Sequence, residues 1–410
     1  MRKEMTDVHV LDVLLYGDPI GTLTRVGDDR ALFAFNDSYI GDSAKPTLGL
    51  GFKDRFGELI TGFPPTQTRL IPFFSNLLPE DPMRTYLADR AGVKPVREFF
   101  LLWALGADLS GAVTVTPSGG ELWPSDVSDD SDRGSGRREN ALRFSLAGVQ
   151  LKFSAVEKAR GGLTLPARGV GGSWIVKLPS LHFAGVPENE FSMMTLARLL
   201  GINVPEVRLI SVDSIENLPE DIGRLSGQAL AVRRFDRSDD GGAVHVEDFA
   251  QVFGIYPEEK YKKASARNIA TVIGAECGED DIAEFIRRLT FNTLIGNADM
   301  HLKNWSLIYP DRRNAALAPA YDFVSTIAYI EDNEAALKFS RTKCFDRYSE
   351  DELSHLAAKA LLPEKLVLDT VRETVALFYQ YWNAEKANLP LPDNAVKAIE
   401  NHLKIIPLAI

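Results

Sequence analysis

The sequence predicts an α+β protein: an amino-terminal sheet-and-helix unit, then a β-rich lobe, then a helical lobe. Three observations carry this. Runs of β-branched and apolar residues broken by turn residues fill 7–36. A stretch at 117–140 (PSGGELWPSDVSDDSDRGSGRREN) has almost nothing apolar to bury and divides the chain in two. Beyond it, strand-like segments give way near residue 246 to mostly helical periodicity.

Taken in order, residues 7–16 (DVHVLDVLLY), 19–25 (PIGTLTR) and 30–36 (RALFAFN) read as a small antiparallel sheet with Gly17-Asp18 at its first turn. SNLLPEDPMRTYLADRAG then sets prolines near a helix start, VREFFLLWALG stops on Gly106, and GAVTVTP returns to strand. These elements form one unit over 1–118, and 119–140 reads as a flexible linker. In the second unit, 142–156 (LRFSLAGVQLKFSAV) and 173–178 (SWIVKL) are strand-like. The helix 187–200 (PENEFSMMTLARLL) opens on Pro187 and closes at Gly201. EVRLIS (206–211) and QALAVRRF (228–235) complete a β-rich lobe over 141–235. From 236 to 410 helices dominate, apart from a hairpin in WSLIYPDRRNAALAPAYDF that turns near Pro310–Asn314. A long amphipathic helix is expected at 364–383. Clefts between two such lobes are favoured ligand sites.

Composition excludes several classes. With 410 residues, 45% hydrophobic and 25% charged, the chain can bury more than one core. Lys plus Arg number 46 against 57 Asp plus Glu, a net charge of −11, which argues against gripping phosphate backbones unaided. The two cysteines cannot form a zinc cluster, and a reducing compartment is expected. No apolar run approaches the ~20 residues that cross a bilayer. Glu4, Asp7 and Asp12 interrupt any signal-peptide core, so the expected address is the cytoplasm, without membrane contact.

The strongest chemical signal is NTLIGNADMHLKN (292–304), where Asp299 precedes Asn304 by five residues and Asp322 follows after the hairpin. Phosphoryl transfer needs a carboxylate to orient the attacking hydroxyl, and a carboxamide and second carboxylate to hold Mg²⁺ against the phosphates. Alternatively, Asn297, Asp299 and Asn304 build an Asx-rich turn at a helix end, and His301 is a satisfied core histidine. Lys177, among apolar neighbours on a strand, either points at phosphates or snorkels from an edge. Glu188 and Glu190, in the next helix's first turn, could each hold it or simply favour the helix dipole. SLAGVQLK (145–152) could cover phosphates, with Gly148 allowing close approach and Lys152 on the same side as Gln150; a plain bulged strand fits too. LAVRRFDR (230–237) suits a hinge whose backbone pairs with adenine and whose Asp236 reaches a ribose, or a charged edge strand. YPEEKYKK (256–263) reads as a solvated helix face.

Together, these residues resemble a known family, the HipA-type serine/threonine kinases, toxins of bacterial toxin–antitoxin pairs. The matching segments include FFSNLLPE (73–80), ALGADLSGAV (104–113), SLAGVQLKFS (145–154), IVKLP (175–179), ENEF (188–191) and LGINVPE (200–206). RRFDR (233–237), EDFAQVFG (247–254), KYKKAS (260–265), GNADMHLKNWS (296–306) and PAYDFVS (319–325) continue the same order. The resemblance implies a two-lobed protein-kinase-like fold with an additional amino-terminal subdomain, and ATP with Mg²⁺ as cofactors. It makes Asp299 the catalytic base, and Asn304 and Asp322 the metal ligands. Lys177 would hold phosphates, with Glu190 as its partner. The backbone of Arg233–Phe235 would meet adenine with Asp236 nearby, and Gln150, Lys152, His301 and Tyr321 would line the pocket. Arg233 stands where a family relative has a carboxylate, so side-chain contacts there do not carry over. Ser145 matches the serine that the family autophosphorylates. Family relatives phosphorylate an aminoacyl-tRNA synthetase, which arrests growth and produces persistence. They are neutralised by a HipB-like helix-turn-helix antitoxin, which would bring the kinase to operator DNA. Two other readings remain: a small-molecule phosphotransferase, as in aminoglycoside or homoserine kinases, and a non-catalytic subunit of an operon-repressor complex.

Overall fold

The computed structural model describes residues 9–81, 83–119, 151–157, 162–165, 172–180, 182–218 and 225–409; residues 120–150, with most of the expected linker, Ser145 and Gln150, lie outside the described residues. The amino-terminal unit is a five-stranded antiparallel sheet ordered β4-β3-β2-β1-β5, from Val10–Leu15 (β1), Asp18–Val26 (β2), Arg30–Phe35 (β3), Thr66–Gln67 (β4) and Val113–Pro117 (β5). Period-2 alternation decides its faces. Leu11, Val13 and Leu15 point to one side and are fully buried with Leu23 and Phe33 against the helix Glu98–Leu105. That helix is expected from VREFFLLWALG, and Gly106 ends it.

The next sheet is ordered β7-β6-β8-β10-β9, from Lys152–Glu157 (β6), Leu163–Thr164 (β7), Trp174–Lys177 (β8), Val207–Ser211 (β9) and Gln228–Arg233 (β10). β8 is central, so Lys177 lies between Lys152 on β6 and Leu230 on β10. Trp174 and Val176 face a core that includes Tyr86 of the amino-terminal unit, while Lys177 emerges on the other face. The helix Val186–Leu199 begins at Pro187 as expected and buries Met193, Met194 and Leu196 in a core shared with the helical lobe.

That lobe is built on the helices Ala266–Glu276, Glu279–Leu294, Glu350–Ala360, Glu364–Glu385 and Asp393–Leu403. Phe285, Phe291, Phe345, Phe378 and Trp382 fill its centre. Three strands were not expected: the two-residue β4 and β7, and a longer one in this lobe. His245–Asp248 (β11) pairs with Ser306–Tyr309 (β12), which pairs with Ala316–Leu317 (β13) in the expected hairpin. HVED carries no alternation, and only burial against β12 and the amino-terminal unit makes it a strand. The architecture is α+β, a two-lobed kinase-like fold with an added amino-terminal unit. Among the described residues, no helix is long and apolar enough to cross a membrane.

The amino-terminal unit is locked to the point where the lobes meet. Arg234 is held between Asp236, at 2.8 and 2.9 Å, and Asp108, at 3.1 Å; Arg237 bridges the same two carboxylates at 3.0 Å each. Gly111 N–H donates to Asp236 at 2.8 Å. Gly111 has φ +76°, and a Cβ there would stand 2.8 Å from the Val246 nitrogen, so only glycine fits this approach. This corrects one expectation. Asp236 is 7% exposed with both oxygens engaged, so it clamps two units together and has no oxygen to spare for a ribose.

Candidate active site

Lys177 is the meeting point of three elements. Its ammonium donates to Glu190 Oε1 at 2.5 Å, from the helix, and to Asp322 Oδ1, from the loop after β13. Glu190 lies one helical turn inside Val186–Leu199 and is 1% exposed, whereas Glu188 makes no such contact and only its carbonyl is used, by Ser192. Burial alone would lower the Lys177 pKa, but two carboxylates outweigh it and hold the ammonium protonated. One cation cannot neutralise both acids. Asp322, desolvated yet facing Lys177 and Lys152, is held down at about 2, while burial pushes Glu190 up beyond what Lys177 offsets.

Neighbouring contacts set the geometry of this cluster. Asn189, fully buried, exchanges two hydrogen bonds with Ser325 (3.0 and 3.1 Å), tying the Glu190 helix to the segment that follows Asp322. Asp322 itself has φ +59°, a left-handed conformation that Asp and Asn tolerate better than other side chains. Asn297 bonds the Asp322 carbonyl at 3.2 Å, joining that loop to the one carrying Asp299.

The Asp299 loop follows the helix Glu279–Leu294. Asn297 Oδ1 accepts from the Asp299 N–H at 3.1 Å, and Asn304 Nδ2 donates to the Asp299 carbonyl at 2.9 Å. The expected Asx-rich turn therefore exists, and it is what aims the Asp299 side chain outward. That carboxylate is open to solvent on one side and crowded on the other. The crowding pushes it above the usual carboxylate range, while the Tyr261 hydroxyl and nearby Lys260 pull it back. His301 is buried, its Nδ1 has no hydrogen-bond partner among the described residues, and burial with Lys260 close by pushes its pKa down to about 3, so it is neutral. Tyr321 hydrogen-bonds Ser306 and the Lys303 carbonyl, and its ring tilts against Phe235, 5.7 Å between centroids. Arg233 sends its guanidinium out to Asp239 at 2.6 Å, while its backbone N–H bonds Glu206 in the sheet.

The structure thus gathers Lys177, Glu190 and Asp322, with Lys152 close enough to act on both acids, and sets Asp299, His301 and Asn304 on the adjoining loop. Phe235 and Tyr321 lie tilted against each other beside it. Sequence reasoning missed three contributors. Tyr261 and Lys260 lie in YPEEKYKK, read as a solvated face, and Glu80 comes from the amino-terminal unit; Lys260 bonds Glu80 at 2.6 Å. The signal was present in the family segments KYKKAS and FFSNLLPE, where no chemistry had been assigned to them.

The donor set fits Mg²⁺ bound together with a nucleotide. Among the described residues, no group of three His, Cys, Asp or Glu could hold a metal ion alone. Asp322 and Asn304 offer hard oxygens, and Mg²⁺ commonly takes one or two such ligands with phosphate oxygens completing the shell. The two carboxylates around Lys177, and the His301 Nδ1 that has no hydrogen-bond partner among the described residues, are groups that an incoming Mg²⁺-nucleotide could satisfy.

The chain is similar to known proteins along most of its length. Residues 11–116 match the family described as HipA N-terminal domain, and residues 144–382 match the HipA-like C-terminal domain. A Sinorhizobium fredii protein named "Putative kinase Y4dM" is 60% identical over 407 residues, 98% of each chain. A Shewanella oneidensis protein named serine/threonine-protein kinase toxin HipA is 28% identical over 323 residues, 68% of each chain. A chain of the solved Shewanella oneidensis complex of HipA, HipB and operator DNA superposes with a TM-score of 0.72 over 97% of this chain and 96% of that one, at 22% identity. At that identity the likeness establishes the fold.

Proposed function

The chain belongs to the HipA family of kinases, and from that premise we propose that it transfers the γ-phosphoryl group of Mg²⁺-ATP to a serine or threonine hydroxyl of a protein target. The observation that carries this is Lys177 held between Glu190 and Asp322 beside a loop that presents Asp299 to solvent. In this reading Lys177 and Lys152 bind ATP phosphates, and the paired rings of Phe235 and Tyr321 border the base. Asp322 and Asn304 hold Mg²⁺, which neutralises charge on the transferred group. Asp299 accepts the proton of the attacking hydroxyl. The acceptor oxygen bonds to the γ-phosphorus as the bridging oxygen leaves with ADP.

The biological setting is proposed on the same footing. The net charge of −11 suits a kinase that reaches DNA only through a partner, and the fold neighbour was solved with HipB and operator DNA. We therefore assign this chain a helix-turn-helix antitoxin, a cytoplasmic location and a toxin's role, with an aminoacyl-tRNA synthetase as the first target to test. Ser145 is the proposed site of autophosphorylation; phosphate there would add roughly −1.5 to −2 charge beside the ATP phosphates and silence the kinase.

Calorimetric titration with ATP, with and without Mg²⁺, tests the reading when paired with a transfer assay. Asp299→Asn should keep Mg²⁺-ATP affinity and lose transfer by on the order of 10²–10⁴-fold. Asp322→Asn retains a residue suited to φ +59° while removing the charge, so it should fold normally and bind Mg²⁺-ATP weakly. Wild-type turnover in the Asp299 variant would overturn the assignment.

A further inference from the structure

Tyr261 donates its phenol hydrogen to Asp299 Oδ1 at 2.6 Å, and among the described residues no other hydrogen bond reaches that carboxylate. Two contacts fix the ring. It stands edge-on to His301, with centroids 5.0 Å apart at 85°, and the Lys260 ammonium lies 5.4 Å from its centroid. Lys260 is in turn held by Glu80 at 2.6 Å. The tyrosine is nevertheless 43% exposed, so it is anchored at the mouth of the site where an acceptor must approach.

A general base works only when a lone pair lies within hydrogen-bond reach of the proton it removes. The terminal torsion of an aspartate is broad, so a solvent-facing carboxylate samples many orientations unless one oxygen is held. We propose that Tyr261 is a positioning residue for transfer: its phenol holds Oδ1 of Asp299 and thereby presents Oδ2 to the acceptor hydroxyl. The inference rests on the kinase reading above. The phenol keeps its own proton throughout, and the acceptor's proton passes to Oδ2 as its oxygen bonds to phosphorus and ADP departs.

The test measures label transferred from γ-labelled ATP, to water and to the chain itself, in wild type, Tyr261→Phe, Asp299→Asn and the double variant. Mg²⁺-ATP affinity is measured alongside by calorimetry. Tyr261→Phe should slow transfer about tenfold while affinity stays within about twofold, because the phenol touches the base and not the nucleotide. In the Asp299→Asn background the same change should cost less than about twofold, since an amide takes no proton however it is oriented. Equal losses in both backgrounds would mark a merely structural role and overturn the proposal. So would a wild-type rate in Tyr261→Phe, or a loss of affinity matching the loss of rate. A wild type shown by mass spectrometry to carry no phosphate on Ser145 that binds no Mg²⁺-ATP, or transfers no label, would overturn the kinase reading itself and this inference with it. That failure is distinguishable because it appears before any substitution.

Discussion

Glu80 and Lys303 stand 3.3 Å apart across the junction between the amino-terminal unit and the loop that carries Asp299 and Asn304. The other oxygen of Glu80 takes Lys260, and Lys303 also reaches the Asn76 carbonyl at 3.1 Å. Lys303 immediately precedes Asn304, and Lys260 immediately precedes Tyr261. A single carboxylate from the amino-terminal unit therefore grips both segments that flank the proposed base. Burial alone would raise the Glu80 pKa, but the two ammonium groups outweigh it and keep the carboxylate charged.

Glu80→Gln should therefore slow transfer more than it destabilises the fold. Its side chain is 38% exposed, so solvent screening limits the stability loss to about 1 kcal/mol or less. Turnover should fall several-fold as both flanking segments loosen. Thermal unfolding and label transfer in one buffer separate the two effects; an unchanged rate would detach the amino-terminal unit from catalysis.

Lys177→Met should do the opposite and damage the fold as well as the site. It strands Glu190, 1% exposed, without its cation, and breaking such a buried pair costs about 3 kcal/mol. Adding Glu190→Met removes the stranded charge and should restore most of that stability, while Mg²⁺-ATP affinity stays lost. Denaturant midpoints and nucleotide titration on both variants check this. Continued instability of the double variant would mean that packing, and not charge, holds this position.

Local chemistry explains what the sequence revealed and what it hid. β1–β3, the proline-led helix before Gly201 and the hairpin ending at Asp322 were legible because alternation, capping and turn residues all act within a few positions. The Asp299, Asn304 and Asp322 spacing was legible for the same reason. Asp236 was misread because Gly111, which donates to it, and Asp108, which shares Arg234 and Arg237 with it, lie more than a hundred residues away and no local pattern points to them. The same distance hid Glu80 from Lys260, and YPEEKYKK looked like solvated surface because Lys260 and Glu258 find their partners, Glu80 and Arg69, only across the junction. The residues alone left Glu190 and Glu188 both open, since they sit in one helical turn; the resemblance pointed to Glu190, and the fold shows its contact with Lys177.

Glu247 should give the protein a pH-dependent stability that a single substitution removes. It is fully buried: Oε1 accepts from the Leu50 N–H at 2.8 Å and from the Tyr309 hydroxyl, while Oε2 has no hydrogen-bond partner among the described residues. Burial pushes its carboxyl up to about 7, against an ordinary value of 4.5, although those two hydrogen bonds oppose the shift. Between these values the folded chain keeps a proton that the unfolded chain has released. The stability Glu247 contributes is thus full below 4.5 and lost as pH rises to about 7. His245 acts in the reverse sense. Burial pushes it down to about 4 from 6.5, so its contribution is full above 6.5 and lost as pH falls to 4. The whole-chain profile mixes the two, but the difference between Glu247→Gln and wild type isolates the carboxylate. The variant should match wild type near pH 4.5 and exceed it by about 2 kcal/mol at pH 8, read from denaturant midpoints across that range. A difference that stays flat with pH would mean that Glu247 carries its charge inside the fold, and Oε2 would then need a partner.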